Sequence, residues 1–319
     1  MTKKKRWLPP VWLRITLAVL LLAGAAYVLR NQLKDYTFAS IMDGLRSLPP
    51  WRVAASFIIT ILGYLALIGH DVLGLSHLRK KVALRRTALA GFVTYAISNS
   101  APVSFAVAGA VRFRFYNKWG LSSEDTSRLV GLTLGTYLLG MLTAMAFALT
   151  TGAYALPGFL HLPFESTEPL GLLSGALLIG YVIWSSIRGK ALGAAHKEAL
   201  GPTLGFTASQ IAVSLADWIL SGAALWVLIV HQGQSMPFGH FFGVFMLGQL
   251  AALIANLPGG IGVFDAVMIT GLKSVVPPPI TLAALFGYRV IYFLLPLLLA
   301  LALWFGHEGK RWMRRRPGS

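Results

Sequence analysis

Residues 256–265 read Asn-Leu-Pro-Gly-Gly-Ile-Gly-Val-Phe-Asp, which places three glycines and a proline inside an apolar segment. A plain membrane helix gains nothing from such residues. Broken backbone at membrane depth is tolerated only where it is buried in protein or lines a polar cavity. An earlier segment breaks in a similar way, at Asn99-Ser-Ala-Pro102 running on to Ala-Gly-Ala-Val-Arg112. Two interrupted helices, one in each half of a membrane chain, point to a transporter-type binding site.

The membrane setting follows from composition. The 319 residues are 56% hydrophobic and 12% charged, against about 25% charged in an ordinary soluble domain. The fold class expected is all-α, a polytopic helical membrane protein. The net charge of +17 comes from basic clusters at the ends of apolar segments. That is the positive-inside pattern, not a nucleic-acid footprint. The absence of cysteine excludes disulfides, thiolate zinc sites and cysteine nucleophiles. The scattered histidines show no metal-ligand spacing. No cofactor and no enzymatic constellation is expected.

Six spans of about 20 residues, the length a bilayer requires, are expected at 11–29, 51–75, 128–152, 169–187, 207–230 and 280–305. The basic Lys3–Arg6 stretch before the first reads as the start of an uncleaved helix, not a signal peptide. Two broken regions, 88–111 and 240–273, are too short for two full passes and read as re-entrant hairpins. Loop charges orient them. Basic loops at 79–86 and 112–128 belong inside, as do residues 188–197 and the tail from Lys310. The acidic loop 153–168 and segment 231–239 belong outside. The first hairpin then opens inward and the second outward, with both termini cytoplasmic. This makes one integral domain with repeat-like halves at about 11–152 and 169–305, arranged as an inverted repeat. Residues 30–50 depart from the charge pattern and read as an interfacial amphipathic helix.

Charges inside spans carry the next signal, because each costs about 2.5–3.5 kcal/mol on insertion scales. Asp71, Asp217 and Arg289 read either as cavity residues or as members of structural ion pairs. Arg112 and Arg114 follow the first break, where a guanidinium fork suits phosphate or anchors the chain at lipid headgroups. In Pro258-Gly259-Gly260-Ile-Gly262, free backbone N–H groups suit an anion, whereas small residues also serve close helix packing. Asp265 either binds a cation or caps the returning helix. Asn99 and Asn256 either present amides to a substrate or cap broken ends. The tryptophans read mostly as an interfacial belt.

These residues together resemble the membrane domain of the lysyl-phosphatidylglycerol synthase/flippase family, the multiple peptide resistance factors and their stand-alone relatives. The matching stretches are His70-Asp71 before a basic loop, Tyr95-Ala-Ile-Ser-Asn99, Gly109-Ala-Val-Arg112-Phe-Arg114-Phe-Tyr116 before Gly120-Leu-Ser, and Asn256 to Asp265. The resemblance implies a bacterial inner-membrane protein that moves aminoacylated phosphatidylglycerol from the inner to the outer leaflet. It implies resistance to cationic antimicrobial peptides as the outcome, and roles for Asp71 and Arg112 in translocation. Full-length members carry a C-terminal cytosolic transferase domain, so this chain, ending at Ser319, is expected to depend on a separate aminoacyl-transferase domain or protein. Relatives often have Glu where Asp265 stands.

The partners expected are therefore a phospholipid and the bilayer, with room for a homo-oligomer. In the flippase reading Arg112 holds the phosphate, and Asp71 with Asp217 or Asp265 meets the amine. Two other classes remain open. One is a transporter of another lipid, an isoprenoid-linked carrier or a small solute. The other is a membrane scaffold that recruits a soluble enzyme through its basic loops.

Overall fold

The computed structural model describes residues 48–101, 104–151, 166–195, 203–230, 236–255, 260 and 262–313, with isolated positions 39, 43 and 46. The described residues are helical with short connections, and no strand occurs among them. In chain order the helices are α1 (Pro50–His77), α2 (Leu84–Ser100), α3 (Ser104–Lys118), α4 (Ser123–Thr151) and α5 (Glu168–Ala195), followed by α6 (Leu204–Ile229), α7 (Phe238–Ala255), α8 (Val263–Leu272) and α9 (Pro278–Tyr288). A π-helical segment, Arg289–Leu294, then leads into α10 (Leu295–Met313).

Local chemistry sets the ends. Prolines occupy the first helical positions of α1 and α9, where the missing N–H is no loss. Thr203 caps α6 by accepting from the Phe206 N–H at 3.2 Å. Ser122 does the same for the Asp125 N–H at 3.0 Å, and Glu124 and Asp125 favour the positive end of the α4 dipole. α1 stops on a left-handed Arg79 (φ 53°). There the Lys80 N–H reaches back to the Leu75 carbonyl at 2.9 Å, a Schellman closure usually made by glycine.

Six stretches are long and apolar enough to cross a bilayer: Pro50–His77, Ser123–Thr151, Glu168–Ile187, Leu204–Ile229, Phe238–Ala255 and Pro278–Gly306. The chain is a multi-pass helical membrane protein. Five of these stretches coincide with expected spans, whereas 11–29 and most of the amphipathic segment at 30–50 lie outside the described residues. The sixth differs from expectation. Phe238–Ala255 overlaps the first part of the broken region 240–273, yet its 18 residues reach about 27 Å at 1.5 Å each. This arm therefore crosses most of the hydrocarbon, and only the 10-residue α8 is a short excursion.

α1 and α6 pack side by side and antiparallel at the centre. Ser56 donates to the Ala224 carbonyl at 2.8 Å and Arg52 to the Val227 carbonyl at 3.1 Å, while at the other end His77 stacks on Phe206 at 3.8 Å. α4 lies against α6, with Gly140 pressed on Ser214 so closely that a Cβ there would meet the Ser214 carbonyl carbon at 2.8 Å. Small residues are what allow such approach between membrane helices.

The two hairpins open on opposite faces of this bundle. α2 starts and α3 ends at the α1 C-terminal face. Lys80 pairs with Asp125 there at 2.8 Å, and Arg86 lies over the Trp119 ring at 5.9 Å. α7 and α8 run antiparallel, with Gly271 against Val244 and Gly248 against Phe264. Their mouth is at the α6 C-terminal end, which is the α1 N-terminal face. The contacts also cross over: α2 packs on α10, and α7 packs on α4.

Candidate functional site

A cavity of about 180 Å³ lies where the hairpins meet the central helices. Tyr137, Asp217 and Tyr292 line it, and each stands near the middle of its apolar stretch. The cavity is therefore at mid-membrane depth. Its polar lining comes from both hairpins and from the helices between them: Asn99, Arg112, Tyr137, Asp217, Gln249 and Arg289. Leu67, Phe105, Leu134, Trp218 and Phe264 supply apolar wall.

Arg112 is held from behind. Its Nε donates to Asp71 Oδ1 at 2.9 Å and its Nη2 to Asp71 Oδ2 at 2.9 Å. The Tyr116 hydroxyl donates to the same Oδ1 at 3.1 Å, and the guanidinium carbon lies 5.0 Å from the Tyr95 ring centre. Asp71 is fully buried and is not a lining residue. It acts on the cavity through Arg112, whose Nη1 is the one guanidinium nitrogen that the acid leaves unused. The pair brings α1 and α3 together across 41 residues.

A second acid–arginine pair lies on the cavity wall, made through one guanidinium nitrogen rather than a parallel fork. Arg289 Nη2 donates to both carboxylate oxygens of Asp265 at 2.8 Å. Asp265 Oδ2 also accepts from the Gly262 N–H at 2.9 Å. Asp265 thus caps the start of α8 and is engaged by the chain's own Arg289. Gly262, with φ 84°, and Gly260, with φ 64°, take backbone conformations that favour glycine, and Gly260 lines the cavity. Asn256, Pro258 and Gly259 lie outside the described residues.

Asp217 differs from the other two acids. It is 4% exposed and faces the cavity. No hydrogen bond or ion pair engages it among the described residues. Tyr95, Tyr137, Tyr288 and Tyr292 line the same space, as do Arg112 and Arg289, each held by its own carboxylate, and the Ser221 and Tyr288 hydroxyls lie 2.9 Å apart.

The π segment runs from Arg289 to Leu294, two residues before Pro296. A proline has no N–H for the carbonyl four residues earlier, which here is Tyr292. The Tyr64 hydroxyl donates to that carbonyl instead, at 3.1 Å. π turns of this kind are frequent at functional sites. Here the segment sets Arg289, Tyr292 and Phe293 on the cavity wall.

The structure therefore gathers Asn99, Arg112, Asp217, Gly260 and Arg289 around one space and sets Asp71 and Asp265 behind the arginines. Arg114 lies outside it, 5.9 Å from the Trp304 ring centre at the membrane edge. The expected residues did not include the tyrosines or Gln249. The available signal was tyrosine at the centre of long apolar runs, where an interfacial belt has no place. Among the described residues no group of three or more His, Asp or Glu side chains is placed to hold a metal ion.

Fold and cavity define a multi-pass helical membrane protein with a charged internal site. The chain belongs to the family described as the lysylphosphatidylglycerol synthase TM region, which it matches over residues 11–300. Among its relatives, the uncharacterized protein slr0712 of Synechocystis is 31% identical over 84% of this chain and 83% of its own length. The inner membrane protein YbhN of Escherichia coli is 29% identical over 76% of each chain. The phosphatidylglycerol lysyltransferase of Staphylococcus xylosus is 26% identical over 95% of this chain but only 35% of its own length.

Proposed function

We propose that this chain is a lipid flippase. It moves aminoacylated phosphatidylglycerol, such as the lysyl or alanyl form, from the inner to the outer leaflet of a bacterial inner membrane. The outer surface becomes less negative, which supports resistance to cationic antimicrobial peptides. The lipid class is drawn from the name of the staphylococcal relative, of which this chain corresponds to about a third.

The observation that carries the reading is the charge arrangement of the cavity. Two arginines, each steadied by its own carboxylate, face the space together with one acid that no described residue pairs. A head that contains both a phosphate and an ammonium finds a partner for each. Arg112 takes the phosphate through its spare donors, with Arg289 beside the path. Asp217 takes the amine, and Asn99 and Gln249 offer amides to the glycerol and ester oxygens. The acyl tails remain in lipid while the head travels.

Hairpins opening on opposite faces, and the crossed packing of α2 on α10 and α7 on α4, support halves arranged as an inverted repeat. Motion of one half against the other would then give alternating access. Both termini lie in the cytoplasm in this arrangement. A separate aminoacyl-transferase domain or protein supplies the cargo.

Leaflet-resolved lipid analysis tests the assignment in cells. Deletion of the chain lowers the outer-leaflet share of aminoacylated phosphatidylglycerol, measured with an impermeant amine-reactive reagent. The wild type restores that share and Arg112→Ala does not. An unchanged share on deletion contradicts the reading.

A further inference from the structure

Three carboxylates stand at or just behind the cavity, and two of them are already occupied by Arg112 and Arg289. Asp217 is the remainder. An ionised carboxylate in a low-dielectric interior without a partner costs several kcal/mol. Any conformation that crosses the membrane therefore has to place a positive charge on it. Among the described residues, the helices around α6 supply no cation that is not already engaged. α1 brings Tyr64 and, beside the closed Asp71–Arg112 pair, His70; α4 brings Tyr137; α9 and the π segment bring Tyr288, Tyr292 and Arg289, which Asp265 holds. From the first hairpin come Tyr95 and Arg112, which Asp71 holds. α7 gives Gln249 to the lining, and the described side chains of α5 give none. No described residue is placed to neutralise it, so the cation we assign to it is one from outside the protein.

Resting on the flippase reading, we propose that Asp217 binds the cargo ammonium and a proton in alternation, so that the chain exchanges a cationic lipid head for a proton. On the inner side the carboxyl group releases its proton to water and the carboxylate takes the ammonium. On the outer side the ammonium leaves and the carboxylate takes a proton from the external water. One O–H bond breaks and one forms per cycle, with no redox change. Asp217 crosses neutralised in both directions. The ring of hydroxyls suits this, since a tyrosine or serine O–H donates to the carboxylate and equally accepts from the acid. Intramembrane acids commonly serve as proton carriers. Where the exterior is the more acidic side, the exchange drives lipid outward.

The experiment uses the purified full chain in vesicles containing lysyl-phosphatidylglycerol, with an acidic exterior and a neutral lumen. An impermeant amine-reactive reagent reads the outer-leaflet lipid, and a trapped pH dye reads proton entry. The wild type accumulates lysyl-phosphatidylglycerol in the outer leaflet above its gradient-free level, with one proton entering per lipid moved. A proton ionophore abolishes the accumulation. Asp217→Asn loses the response to the gradient, while Asp217→Glu retains it. Should Asp217→Asn fail to purify as a monodisperse protein, the wild-type gradient response and proton count decide alone. Lipid movement whose leaflet ratio ignores the gradient, or a gradient response undiminished in Asp217→Asn, overturns the exchange and leaves the flippase reading standing. No protein-dependent lipid movement under any condition overturns both.

Discussion

Arg112 and Asp71 meet through two parallel hydrogen bonds of 2.9 Å each, fully enclosed between α1 and α3. This contact fixes a cation at the wall of a mid-membrane cavity. It also fixes the first hairpin to the central helix, so the residue that would hold a phosphate is positioned by the fold's own core.

The first prediction concerns that pair. Removing one partner of a buried ion pair costs about 3–5 kcal/mol because the other is left uncompensated. Asp71→Ala should therefore lower the thermal midpoint in detergent and stop transport together. Arg112→Lys keeps the charge but loses the parallel fork. It should lose less stability than Asp71→Ala and still reduce transport by at least about tenfold, the factor that corresponds to about 1.4 kcal/mol. Full transport by Arg112→Lys would show that the fork geometry is dispensable.

A second prediction follows from the last span. The Tyr64 hydroxyl donates to the Tyr292 carbonyl, whose α-helical donor position is occupied by Pro296. Tyr64→Phe should cost about 1–3 kcal/mol, the usual penalty for a buried acceptor left unpaired. Pro296→Ala supplies an N–H for the same carbonyl. In the Tyr64→Phe background it should recover part of the loss, read as a positive coupling in a double-mutant cycle of thermal midpoints. Additive losses would contradict this role for Tyr64.

What the sequence made legible, and what it hid, follows from these two sites. Long apolar runs bounded by charge identified five spans, and Pro and Gly inside apolar runs identified the hairpins. The bilayer imposes those patterns on any chain that crosses it. The pairing of Asp71 with Arg112 across 41 residues, and of Asp265 with Arg289 across 24, is decided by helix packing and leaves no local trace. Asp71, Asp217 and Asp265 look alike in sequence; only the packing shows that, among the described residues, two are engaged and one is not. The role of Phe238–Ala255 as a near-complete crossing was missed because glycine and proline further along the same apolar region made the whole of it read as broken. The π segment is likewise invisible to hydropathy, and Pro296 is its sole cue.

A third prediction addresses the opposed hairpins. Lys80 lies at the mouth of the first hairpin, where it pairs with Asp125, and Lys273 follows directly on α8 at the mouth of the second. The sequence has no cysteine, so Lys80→Cys and Lys273→Cys are clean single probes. An impermeant thiol reagent applied to intact cells with a permeabilised outer envelope should label position 273 and spare position 80. Inside-out vesicles should give the reverse. Labelling of both positions from one side would break the opposed arrangement and, with it, the inverted-repeat proposal.

The central claim is that the charged cavity carries the lipid head, and reconstitution tests it most directly. Purified chain is placed in vesicles with lysyl-phosphatidylglycerol in both leaflets, and the inner-leaflet pool is followed with an impermeant amine-reactive reagent. Wild-type protein should render the inner pool reactive, whereas Arg112→Ala should leave it as protected as in protein-free vesicles. An inner pool that stays protected with wild-type protein, or becomes equally reactive with Arg112→Ala, would contradict the account.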